Sequence, residues 1–414
     1  MSIVIFILYF LFFSFIVTRI RFFRECGLSK WTLVGLFAVK VLAGLAYAYF
    51  YSLPSYKTNS DTFRFFALSL PETDWLLKDP IAFAKDIFSY GYNRPGNLFI
   101  GENSYWNDLK SNVIIKLLAI CNVFTNKNYY ANIVFFNFLF LFGIIAFYRL
   151  LSSLFTVNKW LLIVAIAGMP SFLFWCSGIH KDGLIFSALG LSFWYFHLLL
   201  EQGFTIKRAA IILLCVLLAF SLRNYISLCL MAVLFCWYLS RRHRNSWKPF
   251  AIVYLIGIVL FFVSAQLDPP FNMPQYIVTK QQEFMQLNGG SSVALKKLEP
   301  SAGSFSSYLP SAIDMAMFRP HISEIKNKSY LPAIAEIIFL SALTVACIVF
   351  RKRGLKVTAP VYACLFFAIT VLMVAGYTIT FSGAIVRYRS LVIPFVAGPL
   401  LCLLDFKKLP FFKK

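Results

Sequence analysis

His180, Lys181 and Asp182 follow one another between two apolar runs, each long enough to cross a bilayer. A histidine, a cation and a carboxylate side by side suit general acid–base chemistry or the holding of an anion. Within Pro170-Ser171-Phe172-Leu173-Phe174-Trp175-Cys176-Ser177-Gly178-Ile179-His180-Lys181-Asp182-Gly183 the triplet has two readings. One is a solvated hairpin tip, where a local Lys–Asp pair is worth little. The other is a site that meets a charged ligand at the membrane surface. Further groups of the same kind sit at the ends of other apolar runs: Asp61, Arg223, Arg319 with His321, and Arg387 with Arg389. Arginine grips phosphate with a planar fork and lysine as a point charge, and a carboxylate among them takes the proton of an attacking hydroxyl. Asp61 is thus the candidate catalytic base and Asp182 the alternative. His180, Lys181, Arg223, Arg319, His321, Arg387 and Arg389 are the candidate substrate-binding residues.

Each has a plainer use. Asp61 suits a helix N-cap. Arg223 suits the fixing of a short turn, and His321 after Pro320 suits an ordinary surface position. Arg387 and Arg389 suit interfacial anchors whose stems snorkel. Lys40, inside an apolar run, is either functional or a stem reaching to the headgroups. Glu336 invites the same two readings, and Asn137 reads as interhelical glue.

The elements that must position these groups are membrane helices. Of 414 residues 60% are hydrophobic and only 14% charged, with a mean hydropathy of +0.74. The apolar runs are continuous, which excludes an alternating β-barrel pattern. The hydropathy and charge rules predict an all-α, polytopic transmembrane helical bundle of about eleven spans in a single integral membrane domain, 1–414. Two long segments, 54–130 and 267–329, read as external loops. The net charge of +22 comes largely from Lys and Arg in short loops on one side, among them Arg19, Arg149, Arg208, Arg241 and Arg351. That side reads as cytoplasmic, so the N-terminus is expected outside and the C-terminus inside. The same distribution removes the nucleic-acid reading that such a charge carries in a soluble protein. The first apolar run lacks the basic start and the small-residue site of a cleaved signal, so it is expected to be retained.

In the first loop, 61–68 and the stretch after Pro80 have the spacing of surface-lying helices with aromatics turned to lipid. Tyr90 to Asn97 reads as a turn, and Asn288-Gly289-Gly290-Ser291-Ser292 as a flexible patch. Residues 113–124 are apolar but short and interrupted by Lys116, which favours an interfacial or re-entrant segment over a span. The nine cysteines are scattered singly, with no disulfide framework or zinc spacing.

Asn59-Ser60-Asp61-Thr62-Phe63-Arg64-Phe65 looks like the acidic start of the first external loop in bacterial polytopic glycosyltransferases of the GT-C type. The layout is similar to those enzymes and to O-antigen or exopolysaccharide polymerases. Pro170 to Gly183 and Val386-Arg387-Tyr388-Arg389-Ser390-Leu391-Val392-Ile393-Pro394 resemble segments of membrane proteins of sugar-polymer clusters. Two departures stand: an extra span precedes the loop, and the paired acidic motif of many GT-C enzymes is reduced to Asp61. The resemblance implies a multi-pass protein of the bacterial inner (plasma) membrane. It would use a polyprenyl-phosphate-linked sugar or oligosaccharide on the outer face in cell-surface polysaccharide biosynthesis. A transporter or flippase of lipid-linked glycans or other anions is the rival, and a non-catalytic subunit of an assembly complex is a third reading. No nucleotide-binding loop, H-E-x-x-H or G-x-S-x-G is present, so a sugar donor would have to be lipid-linked. The carboxylates are too few to assign a metal site and leave a divalent cation open. Oligomeric state is not legible.

Overall fold

The computed structural model describes residues 2–57, 60–89, 105–268, 271–287, 290–324, 328–352 and 354–408. Among them the chain is mostly helical and carries no strand, only two isolated bridges. Six helices are long and apolar enough to cross a membrane: Lys30–Ser52, Tyr129–Leu154, Lys181–Gln202, Trp247–Gln266, Leu331–Val349 and Ala359–Thr378. A seventh results if Ser382–Ser390 and Ile393–Leu403, bent by 57° at their junction, form one span.

The expected count of about eleven is therefore not reproduced, for a local reason. Hydropathy reads through breaks that end helices. The run at 159–176 is two pieces, Lys159–Ala167 and Pro170–Trp175, of 9 and 6 residues, parted at Gly168 and Met169. Ile3–Arg19 and Asn224–Ser240 are apolar but shorter, and Ile206–Leu222 has 17 residues.

Helix boundaries follow side-chain chemistry. Ser29, Asn158, Thr205, Asn272 and Ser301 each accept a hydrogen bond from a backbone N–H of the first turn that follows, which satisfies donors that a helix start leaves open. Gly203 ends helix Lys181–Gln202 with φ +86° and ψ 171°, a conformation open in practice to glycine alone.

The chain divides into two compact units, Met1–Leu150 with Leu173–Leu228, and Leu151–Phe172 with Cys229–Lys414. In the first, helix Tyr129–Leu154 lies so close to helix Lys181–Gln202 that a Cβ on Gly143 would fall 2.2 Å from the Ser187 Cα. In the second, Ala359–Thr378 packs on Ala302–Ile313, where Phe305, Tyr308 and Ala312 are buried with Val278 and Leu298.

The helices of the first expected loop pack on one another along one face, while Leu68, Leu77 and Ile81 stay exposed. Helix Asp61–Lys78 buries Thr62, Phe65, Ser69 and Thr73 along one face. Helix Tyr105–Thr125 meets that face, and Asn122 Nδ2 donates to Ser69 Oγ at 2.9 Å and to Thr73 Oγ1 at 3.1 Å. Phe65 and Phe83 turn into protein, each nearly fully buried, and Lys116 gives Phe83 and Trp75 a cation to cover. Its ammonium lies 4.8 Å from the Trp75 ring centre and 4.1 Å from that of Phe83. It also lies 2.9 Å from Glu72 and 3.0 Å from Asp86. Residues 113–124 belong to the Tyr105–Thr125 helix, which is not among the candidate spans. The turn expected over 90–97 lies outside the described residues, as do Asn288 and Gly289 of the expected flexible patch.

Candidate functional site

The His180-Lys181-Asp182 triplet is no solvated tip: every residue from Cys176 to Gly190 is buried. Non-helical backbone in an apolar bundle needs partners for its carbonyls. In the first unit two side chains supply them. Asn137 Nδ2 donates to the Ser177 carbonyl at 2.8 Å, and Lys40 Nζ donates to that of Cys176. Lys40 is fully buried, so its stem does not reach the headgroups as one reading had it.

After this stretch His180 takes an extended backbone, φ −152°, and precedes helix Lys181–Gln202 as its N-cap residue. Asp182 then falls in the first helical turn, where the helix dipole favours an anion. The side chains form a chain of polar contacts. Arg223 Nη2 lies 2.6 Å from Asp182 Oδ1. Asp182 Oδ2 lies 3.0 Å from His180 Nδ1. His180 Nε2 lies 3.5 Å from Asp61 Oδ2, inside ion-pair range but beyond a made hydrogen bond. Exposure changes sharply along it: His180 and Asp182 show 0% of their side chains and Arg223 10%, whereas Asp61 shows 51%. Lys181 is also buried, its ammonium 5.2 Å from the Phe65 ring centre and 3.5 Å from Ser111 Oγ.

This geometry redistributes the roles the sequence suggested. Asp61 is the first residue of its helix and Ser60 occupies the N-cap, so capping does not account for Asp61. Asp182 lies between His180 and Arg223 with none of its side chain exposed. Arg223 does more than fix the break between helices Ile206–Leu222 and Asn224–Ser240, since its guanidinium neutralises a buried carboxylate. Asp61 alone among the four presents a reactive atom to the outside. His180, oriented by Asp182 through Nδ1, faces the Asp61 carboxylate with its other nitrogen.

The second unit carries another polar cluster. Arg319 Nε donates to Asp314 Oδ2 at 2.8 Å and Nη1 to Glu324. His321 Nε2 lies 3.0 Å from Asp314 Oδ1. Burial works to raise the Asp314 pKa, but the hydrogen bonds and charges of Arg319 and His321 outweigh it and hold the carboxyl below its ordinary 3.8. Arg389 is buried, with Nη1 donating to the Arg319 carbonyl at 2.8 Å. Arg387, two residues earlier, is half-buried, and its carbonyl accepts from Ser390 Oγ at 2.6 Å. Glu336, also buried, accepts from Ser171 Oγ at 2.6 Å and from Ser171 N at 3.0 Å.

Asp314, Glu324 and Ser171 escaped the sequence reading. A signal for the first two exists, since Asp314 and Glu324 flank Arg319 at five residues on either side. Ser171 gives none. Among the described residues no group of three or more His, Cys, Asp or Glu could hold a metal ion, and all nine cysteines are buried. Comparison of the chain with protein-family models, with characterised proteins and with solved structures finds no match.

Proposed function

We propose that the chain is a membrane glycosyltransferase or oligosaccharide polymerase that uses a polyprenyl-phosphate-linked sugar, with Asp61 as general base. One observation supports this above others: a buried Arg223–Asp182–His180 chain ends on a single outward carboxylate. The acceptor hydroxyl gives its proton to Asp61 and its oxygen attacks the anomeric carbon. The bond from that carbon to the phosphate oxygen breaks, and the polyprenyl phosphate leaves with the electron pair. His180 faces the Asp61 carboxylate through Nε2 and orients it, and Asp182 and Arg223 hold His180. Lys181 adds positive charge where the leaving phosphate develops its own. Arg319 and His321 serve Asp314 and Glu324 and take no part.

In this reading the shorter and broken helices also cross the inner membrane, about eleven crossings in all, with the N-terminus outside and the reacting groups at the outer face. A flippase or transporter remains a second reading. The buried non-helical stretch after Cys176, tied by Lys40, is of the kind that lines transport sites. Membranes from cells with and without the gene, analysed for lipid-linked saccharides, distinguish the two. Single lipid-linked units accumulating on the outer face without the gene support transfer. Accumulation on the inner face supports transport and ends the transferase proposal.

A further inference from the structure

The second unit holds a cation that the transfer chemistry above does not use. Arg389 sits near the end of helix Ser382–Ser390 and is 3% exposed. One end of its guanidinium is anchored. Nη1 points at three carbonyl oxygens, those of Arg319 at 2.8 Å, Ala316 at 3.4 Å and Met317 at 3.5 Å. These belong to the π-helical turn Asp314–Phe318 and the residue after it, so the cation meets the negative end of that turn. The other two nitrogens, Nε and Nη2, are buried and have no hydrogen-bond partner among the described residues.

Nε and Nη2 are the two nitrogens whose N–H bonds run parallel along one edge of a guanidinium. That edge grips a phosphate or carboxylate through two hydrogen bonds at once. Leaving it empty inside a protein costs the full desolvation of two donors on a charged group. The nearest candidate within the chain is already engaged. The charge of Glu336 acts on Arg389, yet both Glu336 oxygens accept from Ser171, one from its N–H and one from its hydroxyl. Asp314 and Glu324 are likewise taken up by Arg319 and His321.

The geometry points to a phosphate-binding site on the Nε–Nη2 edge of Arg389, anchored from behind by the carbonyls of Ala316, Met317 and Arg319. Arg389 belongs to the bent pair Ser382–Ser390 and Ile393–Leu403, which together are apolar enough to span a membrane. A phosphate reaching it from lipid is carried on a lipid, and one reaching it from water is free. Both present the same oxygens. The inference does not depend on Asp61 or on glycosyl transfer.

The test uses the full chain purified in dodecyl maltoside, a detergent without phosphate, and follows the thermal unfolding midpoint. Dodecyl phosphate and inorganic phosphate are titrated separately, on the wild type and on Arg389→Lys. The lysine keeps the charge and loses the paired edge, so non-specific attraction to a basic protein is held constant. Dodecyl phosphate should raise the midpoint, with an apparent Kd weakened about tenfold in Arg389→Lys. A rise with dodecyl phosphate alone identifies a lipid-borne phosphate, and a rise with both identifies a site open to water. No rise in the wild type, or an equal response in the variant, overturns the site. Should Arg389→Lys not fold, Glu336→Gln replaces it. Removing the negative charge that acts on Arg389 should tighten phosphate binding, and an unchanged affinity overturns the site equally.

Discussion

The polar clusters of the two units use the same residue types with opposite exposure. In the first, the carboxylate Asp182 and its partners His180 and Arg223 are hidden and the carboxylate Asp61 lies half in the open. In the second, the carboxylates Asp314 and Glu324 are part-exposed, and it is the cation Arg389 that lies buried with an unfilled edge. The contrast teaches that residue type alone does not assign a role. A buried charge with its partner made is a support. In the functions proposed above, the exposed carboxylate of the first unit serves as a base to a hydroxyl and the buried guanidinium of the second serves as donor to an anion.

The contrast breaks most visibly at Arg223. Its removal in Arg223→Ala leaves the buried Asp182 carboxylate uncompensated, and the expected loss is about 3–5 kcal/mol by thermal or denaturant unfolding. A loss no larger than that of a surface substitution would mean that the chain is wet, not buried. Gly143→Ala tests the scaffold beneath it. The added methyl would meet the Ser187 backbone, and about 1–3 kcal/mol is expected from overpacking, measured in the same way. Arg319→Gln sharpens the comparison from the other side. Water reaches the carboxylates it leaves behind, so the loss should be about 1 kcal/mol or less. Smallest is the acid response of Asp314. Its folded pKa is lowered from 3.8, so the fold binds its proton less readily than the unfolded chain does. Its contribution to stability is whole above that value and is lost as pH falls through the lowered one. Asp314→Asn should lower the unfolding midpoint slightly at neutral pH and flatten its fall below about pH 4.

Much of the helical architecture was legible, because long apolar runs admit few alternatives. His180, Lys181 and Asp182 stood out as polar residues between such runs, and Asp61 as an acid after one. What the sequence hid was burial and pairing. Lys116 read as a flaw in an apolar segment, since its partners Glu72 and Asp86 lie on other helices. Asp182 read as a neighbour of Lys181, but in a helix adjacent residues point apart, and its partners are His180 and Arg223. The break at Gly168 was invisible to a hydropathy window. Arg387 and Arg389 looked equivalent by type and position, and only coordinates show that one is half-buried and the other sealed against backbone carbonyls.

We propose Asp61 as the working end of the Arg223–Asp182–His180 chain, and Asp61→Asn tests this most directly. Membranes containing the variant would be supplied with a polyprenyl-phosphate-linked sugar and an acceptor, and glycan extension would be measured beside the unfolding midpoint. The amide keeps the size of the side chain at a position open to water, so stability should change by no more than about 0.5 kcal/mol. The expected result is loss of extension in a folded, inserted protein. Extension at the wild-type rate, with the variant equally folded, would contradict the claim.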